Sequence, residues 1–490
     1  MRPGLALALT LLPTVATAQP AEKVVHAETK RPTAADVNAL GKKVRVPMMA
    51  LENAVMVGVP AWDYWHTIEL QKEDWELGWN WTTWKSKLTF GDAWVMDTNR
   101  FEPNAIRHPL AGAMTYQIGR ANGLGPVGST IMNAAASWLW ENVGEFRERP
   151  AINDLFCNTI GGLLVGEPLF QIGTLADGHG GLMRRAVGFA ASPFSRMQKE
   201  LGISPLADEV APAHRIELTA GTDVVQHEGD RPQGEARINL DVEMMKDKTF
   251  AMPGSGASWT GFAGWDRMAV DVKVGGKETT GIDGYRFRSF ISYTGRYSRD
   301  LDEDSHGSAT FVGVGGAFQL HSRNLPGEVD RYAVISLVNP RVGGWVHTDQ
   351  AEVDWEAGAS ADVAMVEAHA LAGMPLMQDS SILATRGYYY ATGASASARV
   401  RARAGRWNAE LEGTAHQMWS FDDHSYGGDM DPKNVEDQRV VTKAVIGMKP
   451  TSKDVRIELY SDAILRRGTW SNIDRRTSEL AAGLALTAGF

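Results

Sequence analysis

From about His214 to the end of the chain, apolar residues recur at every second position, the period that puts one face of a β-strand in an apolar medium. Ile216, Leu218, Ala220 and Val224 alternate with Arg215, Glu217, Thr219 and Asp223. Ala236, Ile238, Leu240, Val242 and Met244 alternate with Arg237, Asn239, Asp241 and Glu243. The longest example sets Ala394, Ala396, Ala398, Val400, Ala402 and Ala404 against Ser395, Ser397, Arg399, Arg401 and Arg403. Gly405-Arg406 then turns the chain into a strand whose Glu410 and Glu412 face those arginines as opposite charges across a hairpin. Val455, Ile457, Leu459, Ala463 and Leu465 form a further apolar face, and Leu480, Ala482, Leu484, Leu486, Ala488 and Phe490 form the last.

These runs exceed the usual five or six residues of a soluble strand and reach the roughly nine to eleven that cross a bilayer at a tilt. A sheet in lipid must close, because no water is there to satisfy a free edge. The pattern therefore predicts an α+β chain with a transmembrane antiparallel β-barrel of roughly twelve strands, between about eight and fourteen. Long loops are expected at Thr249–Phe262, Ser298–His306 and Phe421–Asp437. The polar face is dense in charges of both signs, which predicts a lumen filled by ion pairs or a plug rather than a wide pore. A final amphipathic strand ending on Phe490 resembles the strand by which the barrel assembly machinery recognises its clients, which makes that machinery an expected partner.

Upstream the period changes. His108–Gly119, Ser129–Val143 and Asn153–Val165 read as apolar, small-residue-rich helices, with Asn153 as a cap and another helix near Phe194–Leu201. Gly162-x-x-x-Gly166 permits close approach of a neighbouring element. Nine of the sixteen tryptophans lie between Trp62 and Trp140, which suits either a membrane interface or an aromatic core. The expected organisation is a signal peptide over 1–18, a polar periplasmic segment over 19–46, a Trp-rich helical domain over 47–207 packed against or inside the barrel, and the barrel over 208–490. The signal rests on Arg2, the apolar run Leu5–Leu12 and the Ala16-Thr17-Ala18 cleavage pattern.

Composition narrows the rest. A formal net charge of -10 offers no basic stripe for nucleic acid, and the one cysteine, Cys157, rules out an internal disulfide framework. The expected location is the outer membrane, with its lipids as partners and the helices facing periplasm or lumen. No cofactor or metal is expected; the acidic run Asp300, Asp302, Glu303, Asp304 before His306 reads as a solvated loop.

Polar residues recur along the apolar helices and should form a connected network, since unpaired buried charge is costly. His108, Glu145 and Asp154 are the candidates for acid–base chemistry, with Arg149 near enough in sequence to pair with either acid. Arg120, Glu141, Asn153, Asn158 and Glu167 are candidates for binding. Ile106–Gly112, Trp140–Glu145, Pro150–Leu155, Gly161-Gly162 and Gly166-Glu167 together resemble a bacterial outer-membrane and periplasmic domain of unknown function (the 3943 family) over about residues 85–170. Ala151 departs from the serine that the resemblance implies there, which puts in doubt any mechanism needing a hydroxyl at that position. Asp154-x-x-x-Asn158-x-x-Gly161, after Glu145 and Arg149, also resembles the acidic-helix motif of the VanZ-like membrane family, which implies membrane-embedded helices with a polar seam. Three functions compete: passage or handling of a small molecule or lipid with a helical plug; an envelope-lipid-modifying enzyme using His108 with Glu145 or Asp154; and a structural or assembly protein. An enzyme is the less favoured outcome.

Overall fold

A computed structural model describes residues 44–68, 77–78, 80–176, 182–206, 213–228, 231–247, 249–275, 282–325, 328–374, 382–420, 434–451 and 454–489. The expected signal peptide, nearly all of the polar segment and Phe490 lie outside them.

Thirteen strands run from β1 (Ala213–His227) to β13 (Ile473–Gly489), and all pairings are antiparallel. The ring order is β5, β4, β2, β1, β13, β12, β11, β10, β9, β8, β7, β6, and β6 pairs back onto β5. β3 (Gly254–Thr260) and β4 (Trp265–Gly275) both lie along β5 (Ile282–Leu301) and together make one interrupted wall strand. The barrel is thus closed and twelve-stranded, as the alternation requires. Both β1 and β13 have their chain ends at one rim, called here the terminal rim; the opposite one is the far rim.

The wall is inverted relative to a soluble protein. Leu411 and Leu459 are each 62% exposed on its outer face, with Val224, Ile446, Leu480 and Leu484 beside them. Glu217, Arg237, Arg267, Asp271, Arg399 and Glu412 point inward and are buried. Apolar outside and ionic inside is the arrangement of a transmembrane barrel.

Two expected loops are corrected. Thr249–Phe262 contains β3, and β5 continues to Leu301, leaving only Asp302–His306 as a tight turn before β6 (Gly307–Leu325). Their polar composition misled because the strands run on past the apolar belt. Most of Phe421–Asp437 lies outside the described residues; its end, from Glu436, already belongs to β11.

Four long helices stand beside the barrel. They are α1 (Val46–Ile68), α3 (His108–Ala121, entered through a π-turn at Pro103–Arg107), α4 (Pro126–Leu139, extended by a π-turn at Trp140–Gly144) and α5 (Ile152–Ala176). The short α2 (Trp81–Leu88) lies between α1 and α3. α6 (Leu182–Ala191) and α7 (Pro193–Glu200) lead back towards β1. Asn122 Nδ2 donates to Glu52 and Arg45 N donates to Asn122 O, joining the start of α1 to the end of α3, whereas Trp65 Nε1 donates to Gly144 O at the other end. The bundle therefore runs up-down-up-down, with α3 and α5 parallel.

Of the two placements open to the helices, the structure takes the outer one. Phe287, Ile291, Phe318, Leu320, Ala333, Ile335, Met365, Tyr388 and Tyr390 pack with Phe101, Tyr116, Leu163 and Leu164. Those strand residues lie on the face opposite the inward Arg286, Arg288 and His321. Ile172 and Ala191 cover Val242, Met244 and Met268 on the same outer surface. The start of α3 meets the far rim, where Asn104 Nδ2 lies 3.0 Å from Tyr388 Oη and 2.8 Å from Tyr390 Oη. Its end meets the terminal rim near Lys246, the residue after β2. The bundle spans the full height of the wall over β2 and β4–β9.

Candidate functional site

Helix α5 crosses α3 at a point only glycine allows. A Cβ built on Gly162 would stand 2.5 Å from the Gly112 carbonyl carbon and 2.7 Å from Asn133 Nδ2. One on Gly166 would stand 2.9 Å from Tyr116 Cδ1. The Gly162-x-x-x-Gly166 spacing thus lets two backbones touch, and that contact sets which polar side chains face one another.

The first polar centre sits towards the far rim. His108 Nε2 is 3.2 Å from Asp154 Oδ2, and Nδ1 is 3.4 Å from the Asn158 amide. Asn153 Nδ2 donates to Asp154 at 2.6 Å, while Asn153 Oδ1 accepts from Asp97 N at 2.6 Å. Asn153 is therefore not the cap of α5; Ala151 holds that position, because the Asn153 side chain is spent on the neighbouring segment. Glu141 accepts from Ala151 N at 2.8 Å. Asn133 Nδ2 donates to Asn158 O at 2.7 Å and ties α4 into the crossing. The π-turns at Pro103–Arg107 and Trp140–Gly144 and a third within α5, at Cys157–Gly161, lie around this centre, carrying Asn104, Glu141 and Asn158. A π-turn adds one residue to a helical turn and re-aims the side chains that follow.

Glu145 belongs to the rim of this centre but not to His108. Its carboxylate is hydrogen-bonded by Trp140, and its carbonyl oxygen accepts from Lys87 Nζ at 2.9 Å. Arg149 donates to the carbonyls of Asp92 and Ala93. In these connecting segments, outside the long helices, burial pushes the Asp97 and Glu145 carboxyls upward; Glu141 and Glu148 nearby raise Glu145 further.

The second centre lies nearer the terminal rim, around Glu167. Tyr116 Oη donates to Glu167 at 2.7 Å, Arg120 Nε at 2.9 Å and Gln171 Nε2 at 2.5 Å. Lys246, from the barrel, approaches at 3.4 Å. Arg120 also stacks over Phe170. Asp266, fully buried on the outer wall and facing the bundle, shares this neighbourhood. The sequence candidates therefore separate into two sets. His108, Asp154, Asn153, Asn158 and Glu141 surround the first centre, Arg120 and Glu167 form the second, and Glu145 is peripheral. Sequence reasoning missed Asp97, Asn104, Lys246, Asp266, Tyr388 and Tyr390. Three of these left a trace: Asp266, Tyr388 and Tyr390 fall on the otherwise apolar phase of their strands.

Inside the barrel, ion pairs join opposite walls. Arg215 of β1 reaches Asp354 of β8 at 3.1 Å, and Arg403 of β9 reaches Glu217 of β1 at 3.1 Å. Arg267 of β4 pairs with Glu356 of β8, and Arg288 of β5 with Glu412 of β10. Arg237 joins Asp271 and Asp462. The hairpin expectation is met for Arg401 and Glu410, at 2.9 Å. Arg399, opposite Glu412 in register, turns instead to Glu356 at 3.1 Å. Apolar clusters stopper both ends: Trp265, Phe290, Tyr297 and Phe311 at one, Tyr332, Val366, Leu383, Tyr389 and Met418 at the other. A cavity among Arg237, Asp271, Arg286, Arg288, Glu412 and Lys443 holds about 20 Å³, room for about one water molecule. Among the described residues, no group of three or more His, Cys, Asp or Glu is arranged to hold a metal.

Solved barrels resemble the chain loosely. The translocator domain of autotransporter NalP from Neisseria meningitidis is 10% identical over 62% of this chain and 97% of that one, with a TM-score of 0.21. The β domain of the Bordetella autotransporter BrkA is 12% identical over 56% of this chain and 98% of that one, at 0.21. The outer membrane channel DcaP of Acinetobacter baumannii is 8% identical over 57% of this chain and 97% of that one, at 0.21. Likeness at this level says nothing about activity. No curated protein matches. Residues 93–194, which carry both polar centres' helical side chains, match the family described as Domain of unknown function (DUF3943), the resemblance expected from the sequence, displaced somewhat towards the C-terminus.

Proposed function

We propose that this chain is a non-conducting outer-membrane protein whose barrel anchors and braces the helical bundle, the bundle being the part that works. The observation that carries this reading is the wall-to-wall pairing of Arg215, Arg267, Arg288 and Arg403 with Asp354, Glu356, Glu412 and Glu217. A solute would have to break several such pairs at once. Removing one partner of a buried pair costs about 3–5 kcal/mol, so passage through the described lumen faces a barrier of several such increments. The bundle leaves the lumen untouched, so the plug function expected of it falls to the side chains of the barrel itself. We take the terminal rim to be periplasmic: its turns after Leu301, His347 and Ala404 are short, and although the far rim has two-residue turns after Leu325 and Trp470, the long connections 368–387 and 421–435 leave from that side, as the extracellular loops of such barrels do.

Planar-bilayer recording with the purified mature protein tests this. The expected trace stays at the bilayer baseline; steady unit conductance from the unmodified protein overturns it.

The enzyme reading has one observation in its favour, the His108–Asp154 contact at 3.2 Å. A general base, however, needs a nitrogen directed at substrate. His108 spends Nε2 on Asp154 and Nδ1 on Asn158, and the second proposed acid, Glu145, is held by Trp140. The polar centre fits better as the joint that fixes α3, α4 and α5.

A further inference from the structure

We infer that the four-helix bundle is itself embedded in the bilayer, taking the place of lipid along one side of the barrel, with acyl chains as the occupant of its outer face. The inference rests on the barrel's seat in the membrane and not on its closed lumen.

Position comes first. α3 and α5 reach from the far rim, at Tyr388 and Tyr390, to the terminal rim, at Lys246, against the outer wall. Whatever borders the wall of β10–β13 at that height also borders the bundle. Length agrees: at roughly 1.5 Å per residue α1 and α5 are about 35 Å long, and α3 and α4 with their π-turns about 28 Å, against about 30 Å for a hydrocarbon core. Among the described residues, α5 is the one helix long and apolar enough to cross a membrane by length and composition.

Polarity decides between water and lipid. Between Val46 and Trp62 the one charged residue of α1 is Glu52, and it is buried, receiving bonds from Asn122 at 2.6 Å and Gln198 at 2.9 Å. The outer stripe of α1 is Leu51, Val55, Val59 and Trp62; that of α4 is Val127, Ile131, Ala135 and Leu139. Val55 is 54% exposed and Ile131 65%. The one charge of α4, Glu141, and both charges of α5, Asp154 and Glu167, are buried. A helix in water turns its apolar stripe inward and its charges outward; these do the reverse, as the barrel wall does. Trp62, Trp65, Trp81 and Phe90 are exposed at the far end of the bundle, where aromatic rings mark a bilayer boundary. The tryptophan-rich stretch thus serves both expected purposes, since Trp94 packs inside.

The test uses the full-length protein in phosphatidylcholine vesicles, with Cys157→Ser as background and one new cysteine per variant carrying a nitroxide. Val55→Cys and Ile131→Cys probe the bundle, Leu459→Cys the barrel belt and Asp349→Cys an exposed turn. Heat-modifiable gel migration verifies that each variant folds. Collision with oxygen is compared with collision with a water-soluble nickel chelate. The bundle probes are expected to match Leu459→Cys, favouring oxygen several-fold over Asp349→Cys. If they match Asp349→Cys while Leu459→Cys reads lipid, the bundle lies in water and the inference fails alone. If Leu459→Cys also reads water, the membrane seat of the barrel fails with it.

Discussion

Replacing Gly162 with alanine measures how much the bundle depends on the contact between α3 and α5. The added methyl carbon meets the Gly112 carbonyl carbon at 2.5 Å. Carbon atoms prefer about 3.5–4.0 Å, so the helices must part by about 1 Å. The same methyl would stand 2.7 Å from Asn133 Nδ2, so that amide must move and its 2.7 Å bond to Asn158 O is lost. Overpacking costs about 1–3 kcal/mol and the lost buried bond about 1 kcal/mol. Alanine returns about 0.5–1 kcal/mol as a better helix former. The net loss is about 2 kcal/mol, close to thirtyfold in the opening equilibrium. Cys157, the chain's one cysteine, is buried five residues away in the same helix, so its maleimide labelling rate in detergent micelles reports that opening. Gly162→Ala is expected to speed labelling about thirtyfold, against no increase for Gly58→Ala, whose new methyl meets nothing within 4 Å. Labelling of Gly162→Ala within threefold of the parent would refute the argument from close approach.

Three further outcomes follow from the same geometry. Arg120→Met leaves Glu167 buried with Lys246 as its remaining cation, and should destabilise the bundle by roughly 3 kcal/mol, read by the same thiol labelling. Arg267→Ala combined with Arg399→Ala removes both cations paired with Asp241 and leaves Glu356 with Arg341 alone; a cation-selective conductance should appear in planar bilayers, and a silent or anion-selective double variant would count against the lumen as described. His108→Ala should loosen the bundle yet leave the envelope lipid profile unchanged; an altered profile in a strain whose protein level is normal would revive the enzymatic reading.

Strand number, closure and the inversion of the wall were legible because alternation reports directly which residues face an apolar medium. It does not report what that medium is. Phe287, Ile291, Phe318 and Leu320 read the same against lipid as against Leu164, so the side on which the helices dock was hidden. The exceptions to the pattern held the information. Asp266 shares its phase with Met268, Val270 and Val272, and a carboxylate there makes sense only on a covered wall. The pairing of His108 with Asp154 lay within reach of the sequence, because both stand on helices that a small-residue motif brings together. The role of Glu145 did not, since it depends on how Trp140 lies after a π-turn, and no local pattern announces that.

The polar hydroxyls and carboxylate on the outer wall make the barrel dependent on the helices that precede it. Without the bundle, Asp266, Ser289, Tyr388 and Tyr390 would face acyl chains over the stretch where Leu164 O, Asn104 and the carbonyls of Asp97 and Asn99 now receive or meet them. A cylinder of strands alone would therefore carry a wet seam down its side. Such a seam invites a second copy, a foreign helix or a defect in the bilayer, so the chain's two halves form one solvation unit.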